Sequence, residues 1–186
     1  MTSHFHFRRT LEASACLLRL DGDRMDQMRL LKLLYIAERE WLGEAAESLT
    51  GDRVVAMERG PVLSEVFDLI KRVSHRHSAV WDEHIAREGY LVVLRRTPGT
   101  GSLSRGILRK LAEVTERCRS LDHWELSELT HGFAEWKECY TGPRPPATIP
   151  REAILKAVGQ PDLAAEVEEN ETLSQALDEL FGEVGT

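Results

Sequence analysis

A chain of 186 residues with a formal net charge of −7 has the length of one domain, or of one domain with a short appendage. Its three cysteines, Cys16, Cys118 and Cys139, are widely spaced and include no C-x-x-C pair, which favours free thiols in a reducing compartment. No stretch is apolar enough for a membrane span, and the N-terminus lacks the apolar core of a signal peptide. Composition therefore predicts a soluble cytoplasmic protein and excludes disulfide-stapled and membrane-spanning classes.

The negative charge is concentrated at the C-terminus. Residues 160–186 contain eight of the 31 acidic residues and no Lys or Arg, so the other 23 acidic residues are balanced by 24 basic ones. Because an acidic tail repels phosphate backbones, nucleic acid is not expected as a partner. The tail suits a basic protein partner, although a solvated helix face gives the same pattern.

The stretch 25–42 predicts the central helix of the fold. It contains no Gly or Pro, and its apolar residues occupy most of the helix circumference, which is typical of a helix buried on several sides. Lys32 interrupts the apolar run 30–36. We expect its stem to lie on apolar neighbours while its ammonium group reaches water.

The remaining elements are predicted from periodicity, turn residues and caps. In chain order they are a helix at 4–20, a turn at 50–53, a strand at 54–57 ended by Gly60-Pro61, a helix at 62–73, strands at 84–87 and 90–96 around Glu88-Gly89, and helices at 103–120, 122–132, 133–140, 150–158 and from Pro161 onward, with a last one after Asn170. Asp122 and Glu125 fit a capping box at the start of the helix 122–132.

These elements predict a mainly helical α+β fold. We expect a compact helical domain around a central buried helix, with a small two- or three-stranded β element. The proline-rich segment 142–146 predicts an extended connector. The predicted division of the chain is a domain at 1–158 and an acidic helical tail at 159–186.

Catalytic and metal-binding patterns are weak. His75 and His77 lie in the polar run 71–77 with no acid or cysteine at a ligand spacing, so a solvated helix end is the preferred interpretation. Gly99-Thr100-Gly101 lacks the Lys-Ser/Thr of a phosphate-binding loop. The residues alone therefore predict no enzyme, no metal and no cofactor.

Three blocks of sequence resemble the Panacea domain, the SocA-like antitoxin family also known among phage-associated proteins. They are L-L-K-L-L-Y-I-A-E-R-E-W at 30–41, L-T-G-D-R-V-V-A-M-E-R-G-P-V-L-S-E-V-F-D-L-I-K at 49–71, and W-E-L-S-E-L-T-H at 124–131 with Trp136 behind it. The blocks occur in the family's order across most of residues 7–158. Val54-Val55 departs from the pattern, because the family often has an aromatic residue there.

The resemblance implies a binding protein. Panacea domains neutralise chemically diverse toxins encoded beside them, and in the SocA-like branch the antitoxin also presents its toxin to the ClpXP protease as an adaptor. The expected partners are therefore a cognate toxin and ClpX or ClpXP, without a membrane. A DNA-binding regulator, a phage-associated accessory protein and, more remotely, a metal-dependent enzyme are the alternatives.

Two segments are the predicted partner contacts. The first contributes Asp52, Arg53, Met57 and Arg59, and the second is the apolar face of the tail, with Leu173, Leu177, Leu180 and Phe181. The competing interpretation is structural. Thr50-Gly51-Asp52 and Gly60-Pro61 can be turn residues around one strand, and Trp124 and Trp136 can be core anchors.

Overall fold

The computed structural model describes residues 5–142 and 145–169. The elements are α1 (Phe7–Leu20), β1 (Arg24–Asp26), α2 (Gln27–Ala45), β2 (Val54–Met57), β3 (Gly60–Leu63), α3 (Ser64–Lys71), α4 (Ser78–His84), β4 (Ile85–Glu88), β5 (Leu91–Leu94), α5 (Arg105–Arg117), α6 (His123–His131), α7 (Ala134–Cys139), β6 (Ala147–Ile149), α8 (Arg151–Ala157) and α9 (161–169). The sheets are antiparallel, in the orders β1-β5-β4 and β3-β2-β6. The predicted mainly helical α+β class is confirmed, with two small sheets where one was expected.

The predicted central helix is confirmed as α2. Asp26 caps it by accepting a hydrogen bond from the Met28 N–H at 2.7 Å, and Ala46, in the left-handed region, ends it. Every residue from 29 to 38 is buried, and α1, α5, α6 and β3 make the main contacts with the helix. Because each fully buried leucine contributes about 1.5–3 kcal/mol, this one helix supplies much of the core.

A tight hairpin joins β2 to β3. The strands pair from Val54 opposite Leu63 to Met57 opposite Gly60. Gly60 has a φ of +90°, which glycine adopts without strain, and Pro61 is tolerated because β3 is an edge strand. The prediction that Gly60-Pro61 ends the β structure and that a helix starts at residue 62 is therefore wrong: α3 begins at Ser64 and ends at Lys71.

The hairpin predicted around Glu88-Gly89 is confirmed. β4 and β5 pair from Ile85 opposite Leu94 to Glu88 opposite Leu91, and Gly89 has a φ of +66° in the turn. β1 joins β5 as a third strand. β1 has three residues and α4 has seven. Neither is long enough to show a recognisable periodic pattern of apolar residues in the sequence.

The predicted capping box of α6 is present. Asp122 accepts a hydrogen bond from the Glu125 N–H, and Glu125 accepts one from the Asp122 N–H, both at 2.8 Å.

The C-terminal part of the described chain packs on the end of α2 that carries Gly43. Gln160 Nε2 donates to the Gly43 carbonyl at 3.1 Å, and Ala164 of α9 is fully buried. The helix predicted after Asn170 lies outside the described residues.

His75 and His77 belong to an aromatic cluster, so the solvated helix end predicted for them is wrong. His77 stacks on Phe7 with ring centroids 4.0 Å apart. His75 meets the edge of Phe5 at 6.1 Å and pairs with Glu65 at 2.5 Å. Because α3 stops at residue 71, both histidines lie in the following loop and tie it to the N-terminal segment.

Within the described part of the chain, no helix has the length and apolar character that a bilayer crossing requires.

Candidate partner-binding groove

A groove of about 660 Å³ opens beside the β2–β3 hairpin, between the N-terminal half of α2, α3 and the start of α6. We call it the hairpin groove. It is lined by Asp26, Gln27, Met28, Leu31, Lys32, Met57, Glu58, Arg59, Gly60, Val62, Phe67, Lys71, Tyr90, His123 and Trp124. Its volume is typical of a ligand or anchor-residue site, and most of its wall is apolar side chain, as such sites usually are.

The C-terminal sequence block fixes the tip of the hairpin. Three side chains from α6 and α7 bind three successive backbone carbonyls there: Trp136 Nε1 to Met57 at 3.0 Å, His131 Nε2 to Glu58 at 3.1 Å, and Ser127 Oγ to Arg59 at 2.8 Å. Because a turn fixed by three tertiary hydrogen bonds has little freedom to move, the wall of the groove that it forms is preorganised.

Trp124 lies at the rim of the groove. Its side chain is 52% exposed, so the alternative interpretation of Trp124 as a core anchor is wrong. The Arg59 guanidinium lies 4.7 Å from the centroid of its ring, within the range of a cation–π contact. Tyr90, at 76% exposure, is the other large exposed aromatic side chain of the rim.

Lys32 lies at the base of the groove, fully buried. The expectation that its ammonium group reaches water is wrong. Nζ donates to the Pro61 carbonyl oxygen at 2.9 Å, and burial lowers the pKa of Lys32 to about 7. A lysine shifted in this way is half charged near neutral pH, because the apolar surroundings disfavour the ammonium form.

Three more cations near the groove form no ion pair with a carboxylate of the described chain. Among the described residues, Arg59 and Lys71 interact with aromatic rings, Lys71 Nζ lying 5.6 Å from the Phe67 ring, and Arg87 donates to the Gly89 carbonyl. Burial lowers the pKa of Lys71; Arg87 and Arg59 also lower it, while Asp26 acts in the opposite direction. The positive groups are therefore close enough to repel one another.

A buried acceptor in the groove lining also lacks a donor. Gln27 is 6% exposed, and its Oε1 has no hydrogen-bond partner within the described residues. An unsatisfied buried carbonyl of this kind costs about 1–3 kcal/mol, so a bound group with an N–H or O–H at this position would be stabilised.

Of the predicted partner contacts, Met57 and Arg59 line the groove together. Asp52 is 7% exposed and accepts hydrogen bonds from the Glu65 and Val66 N–H groups at 3.0 and 3.1 Å. The Arg53 guanidinium donates a hydrogen bond to Ser64 Oγ at 3.1 Å. The four tail residues, Leu173, Leu177, Leu180 and Phe181, lie outside the described residues.

Hydrogen bonds to α2 fix the Thr50-Gly51-Asp52 turn. The buried carboxylate of Glu38 accepts from both the N–H and the hydroxyl of Thr50, at 2.8 and 2.6 Å. Burial raises the pKa of Asp52 to about 7, although its two backbone hydrogen bonds favour the charged form. This geometry supports the structural interpretation for Thr50-Gly51-Asp52.

Sequence reasoning missed Lys32, Lys71, Tyr90 and Trp124 as groove residues. Lys32 carried a usable signal, because it is the one charge in the run 30–36. No sequence signal points to Lys71 or Tyr90, because tertiary packing alone brings them to the groove. Within residues 5–142 and 145–169, no three His, Cys, Asp or Glu side chains form a group that could hold a metal ion.

Comparison with known proteins identifies the family. The family model of the antitoxin SocA-like Panacea domain matches residues 30–137, which include all three sequence blocks and most of the groove lining. No curated protein and no solved structure matches the chain. The match covers more than half of the chain, and the protein therefore belongs to the SocA-like Panacea family of antitoxins.

Proposed function

We propose that this protein is the antitoxin of a toxin–antitoxin pair and that it neutralises its cognate toxin by direct protein–protein binding. Family membership over residues 30–137 is the observation that carries the proposal. The hairpin groove supports it, because a preorganised, partly apolar surface with unpaired cations suits recognition of a protein partner.

The proposal is one of binding without catalysis. The polar groups at the base of the groove are a lysine hydrogen-bonded to a backbone carbonyl and a glutamine amide. Lys32 is fully buried and its Nζ is bonded to the Pro61 carbonyl oxygen, so it is not presented to a substrate. An amide is neither a nucleophile nor a general base in catalysis. Delivery of the toxin to ClpXP would be a second step after binding.

Co-expression with the neighbouring reading frame tests the proposal. We expect that frame alone to arrest growth of a heterologous host, the pair to restore growth, and a stable complex to be recovered from the restored cells. Leu34→Asp is the control for folding, because Leu34 is fully buried and an unpaired charge there costs several kcal/mol. Growth arrest that persists although the folded protein accumulates would contradict the proposal.

The same experiment in a host without ClpXP separates occlusion from degradation. Neutralisation by occlusion predicts that growth is restored as before. An adaptor role predicts that the toxin accumulates and growth stops, even though the complex still forms.

A further inference from the structure

We propose that the hairpin groove is the toxin-docking site, and that it takes a segment of the toxin in which an apolar anchor residue is flanked by carboxylates. The inference rests on the proposed function, and it adds the contact surface and the chemistry of the partner. Three features of the groove carry it: its unpaired cations, its exposed aromatic rim and its unsatisfied acceptor.

The first feature is charge. Elsewhere in the described chain, most buried or half-buried arginines and lysines have carboxylate partners, as Arg29 has Asp21 at 2.9 Å and Arg39 has Glu135 at 2.6 Å. Arg151 is the exception. Around the groove, Arg59, Lys71 and Arg87 contact rings or a carbonyl instead.

Two acidic residues also line the groove. Asp26 caps α2 through Met28, and Glu58 is exposed at the tip of the hairpin. Neither forms an ion pair with the three cations within the described residues. A chain of net charge −7 thus keeps a local positive surface, which attracts an acidic segment and orients it.

The second feature is the combination of apolar wall and exposed aromatic rim. Leu31, Val62 and Phe67 form part of the wall, and Trp124 and Tyr90 lie at the rim with 52% and 76% exposure. Partly exposed Trp, Tyr and Arg side chains around an apolar depression are the composition of interface hot spots. An apolar side chain of the toxin would fill the depression while carboxylates on either side meet Arg59 and Lys71.

The third feature is the free acceptor. Gln27 Oε1 is buried in the lining and lacks a donor among the described residues. A backbone N–H beside the anchor residue would supply that donor. This favours a peptide segment over a simple anion, which would offer only acceptors to this oxygen.

The chain's own acidic segment 170–186 is the alternative occupant of the groove. Gln160, the residue before α9, donates to the Gly43 carbonyl, whereas the groove lies at the other end of α2, around Gln27 and Lys32. Eleven residues of helix, about 16 Å, separate Lys32 from Gly43, a distance that the 17 residues of the segment can span when extended. We assign the groove to the toxin because the proposed function requires a surface for that partner, and the crosslinking experiment below distinguishes the two occupants.

The test measures binding of the purified toxin, the product of the neighbouring growth-arresting frame, to the full chain. Arg59→Glu/Lys71→Glu should weaken binding at least about 30-fold, because charge reversal leaves carboxylates opposed. Arg105→Glu/Arg109→Glu changes the net charge equally on the exposed face of α5 and should stay within about threefold of the unmodified chain. Trp124→Ala should weaken binding at least about tenfold. Thermal unfolding of each variant verifies that it is folded.

Photocrosslinking identifies the occupant. A benzoylphenylalanine replaces Tyr90 at the rim, and mass spectrometry identifies the crosslinked peptide. The proposal predicts an acidic toxin peptide. Crosslinking to residues 170–186 or to a second copy of the chain, in the presence of saturating toxin, would overturn it.

The two proposals fail in different ways. If the toxin binds the unmodified chain and the Arg59→Glu/Lys71→Glu variant equally, the groove assignment is wrong and the antitoxin function stands. If the toxin does not bind the unmodified chain at all, direct-binding neutralisation itself is wrong, and the docking site is refuted with it.

Discussion

The Lys32 ammonium group donates a hydrogen bond to the carbonyl oxygen of Pro61 at 2.9 Å. Lys32 belongs to the L-L-K-L-L-Y block of α2, and Pro61 to the Gly-Pro pair that begins β3. Because β3 is an edge strand, its outward carbonyls need partners from outside the sheet. One buried lysine therefore connects two sequence blocks and fixes the hairpin on the central helix.

The buried lysine predicts a specific pH dependence of stability. The pKa of Lys32 is about 7 in the folded protein, against the ordinary lysine value of 10.5 that applies in the unfolded chain. The unfolded chain therefore binds more protons between these values, and the contribution of Lys32 to stability rises with pH across that window. From pH 7 to 9.5 the free energy of unfolding should rise by about 3 kcal/mol relative to Lys32→Met.

Urea denaturation of both proteins at several pH values measures this difference. Subtracting the Lys32→Met curve removes the contributions of all other titrating groups that the substitution leaves unchanged. A difference that stays flat between pH 7 and 9.5 would show that Lys32 has an ordinary pKa and reaches water.

Gly60 should tolerate no side chain. A Cβ at this position would lie 2.5 Å from Thr130 Oγ1 and 2.9 Å from Lys32 Nζ, and φ is +90°. Gly99 is a matched control, with a φ of +87° and nothing within 4 Å of its Cβ position. Gly99→Ala should lose about 1–2 kcal/mol through backbone strain alone. Gly60→Ala should lose about 1–3 kcal/mol more, through steric overlap. Thermal or chemical unfolding measures both, and equal losses would argue against close packing of the hairpin tip.

Arg39 and Glu135 form a buried pair that should be strongly coupled. Glu135 is fully buried and accepts from Arg39 Nε at 2.6 Å and from the Tyr35 hydroxyl at 2.8 Å. Arg39→Met should cost about 3–5 kcal/mol, because it leaves a buried carboxylate without its counter-charge. Arg39→Met/Glu135→Leu should be less destabilising than the sum of its single changes. A double-mutant cycle measures the coupling, and additive losses would contradict it.

The sequence predicts the elements that have a long run of regularly spaced apolar residues or a strong helix cap. Residues 25–42 gave the central helix because burial on all sides leaves few polar positions, and Asp122 with Glu125 gave the start of α6. β3 was not predictable in this way, since Val62 fits both the strand it occupies and the period of the helix that follows. β1 and β6 have three residues each, too few for a pattern.

The groove could be predicted only in part. Met57 and Arg59 were candidates from the family resemblance, and they do lie together at the groove. The ammonium group of a lysine usually reaches water, which is the expectation for Lys32. The buried ammonium group of Lys32 instead donates its hydrogen bond to the carbonyl oxygen of Pro61, 29 residues away in the sequence. Large aromatic side chains are usually highly buried, which makes a core anchor a reasonable alternative for Trp124. The capped start of α6 instead leaves Trp124 at the rim, where Arg59 covers one face of its ring.

Titration of toxin activity with the purified antitoxin tests neutralisation by direct binding most directly. The assay uses permeabilised cells lacking ClpXP, in which incorporation of labelled thymidine, uridine and methionine reports replication, transcription and translation together. Neutralisation by binding predicts that the inhibited process recovers as antitoxin is added, and reaches full activity at about one antitoxin per toxin, since tight stoichiometric binding leaves no free toxin. A toxin that stays fully active with a large excess of folded antitoxin would contradict the account.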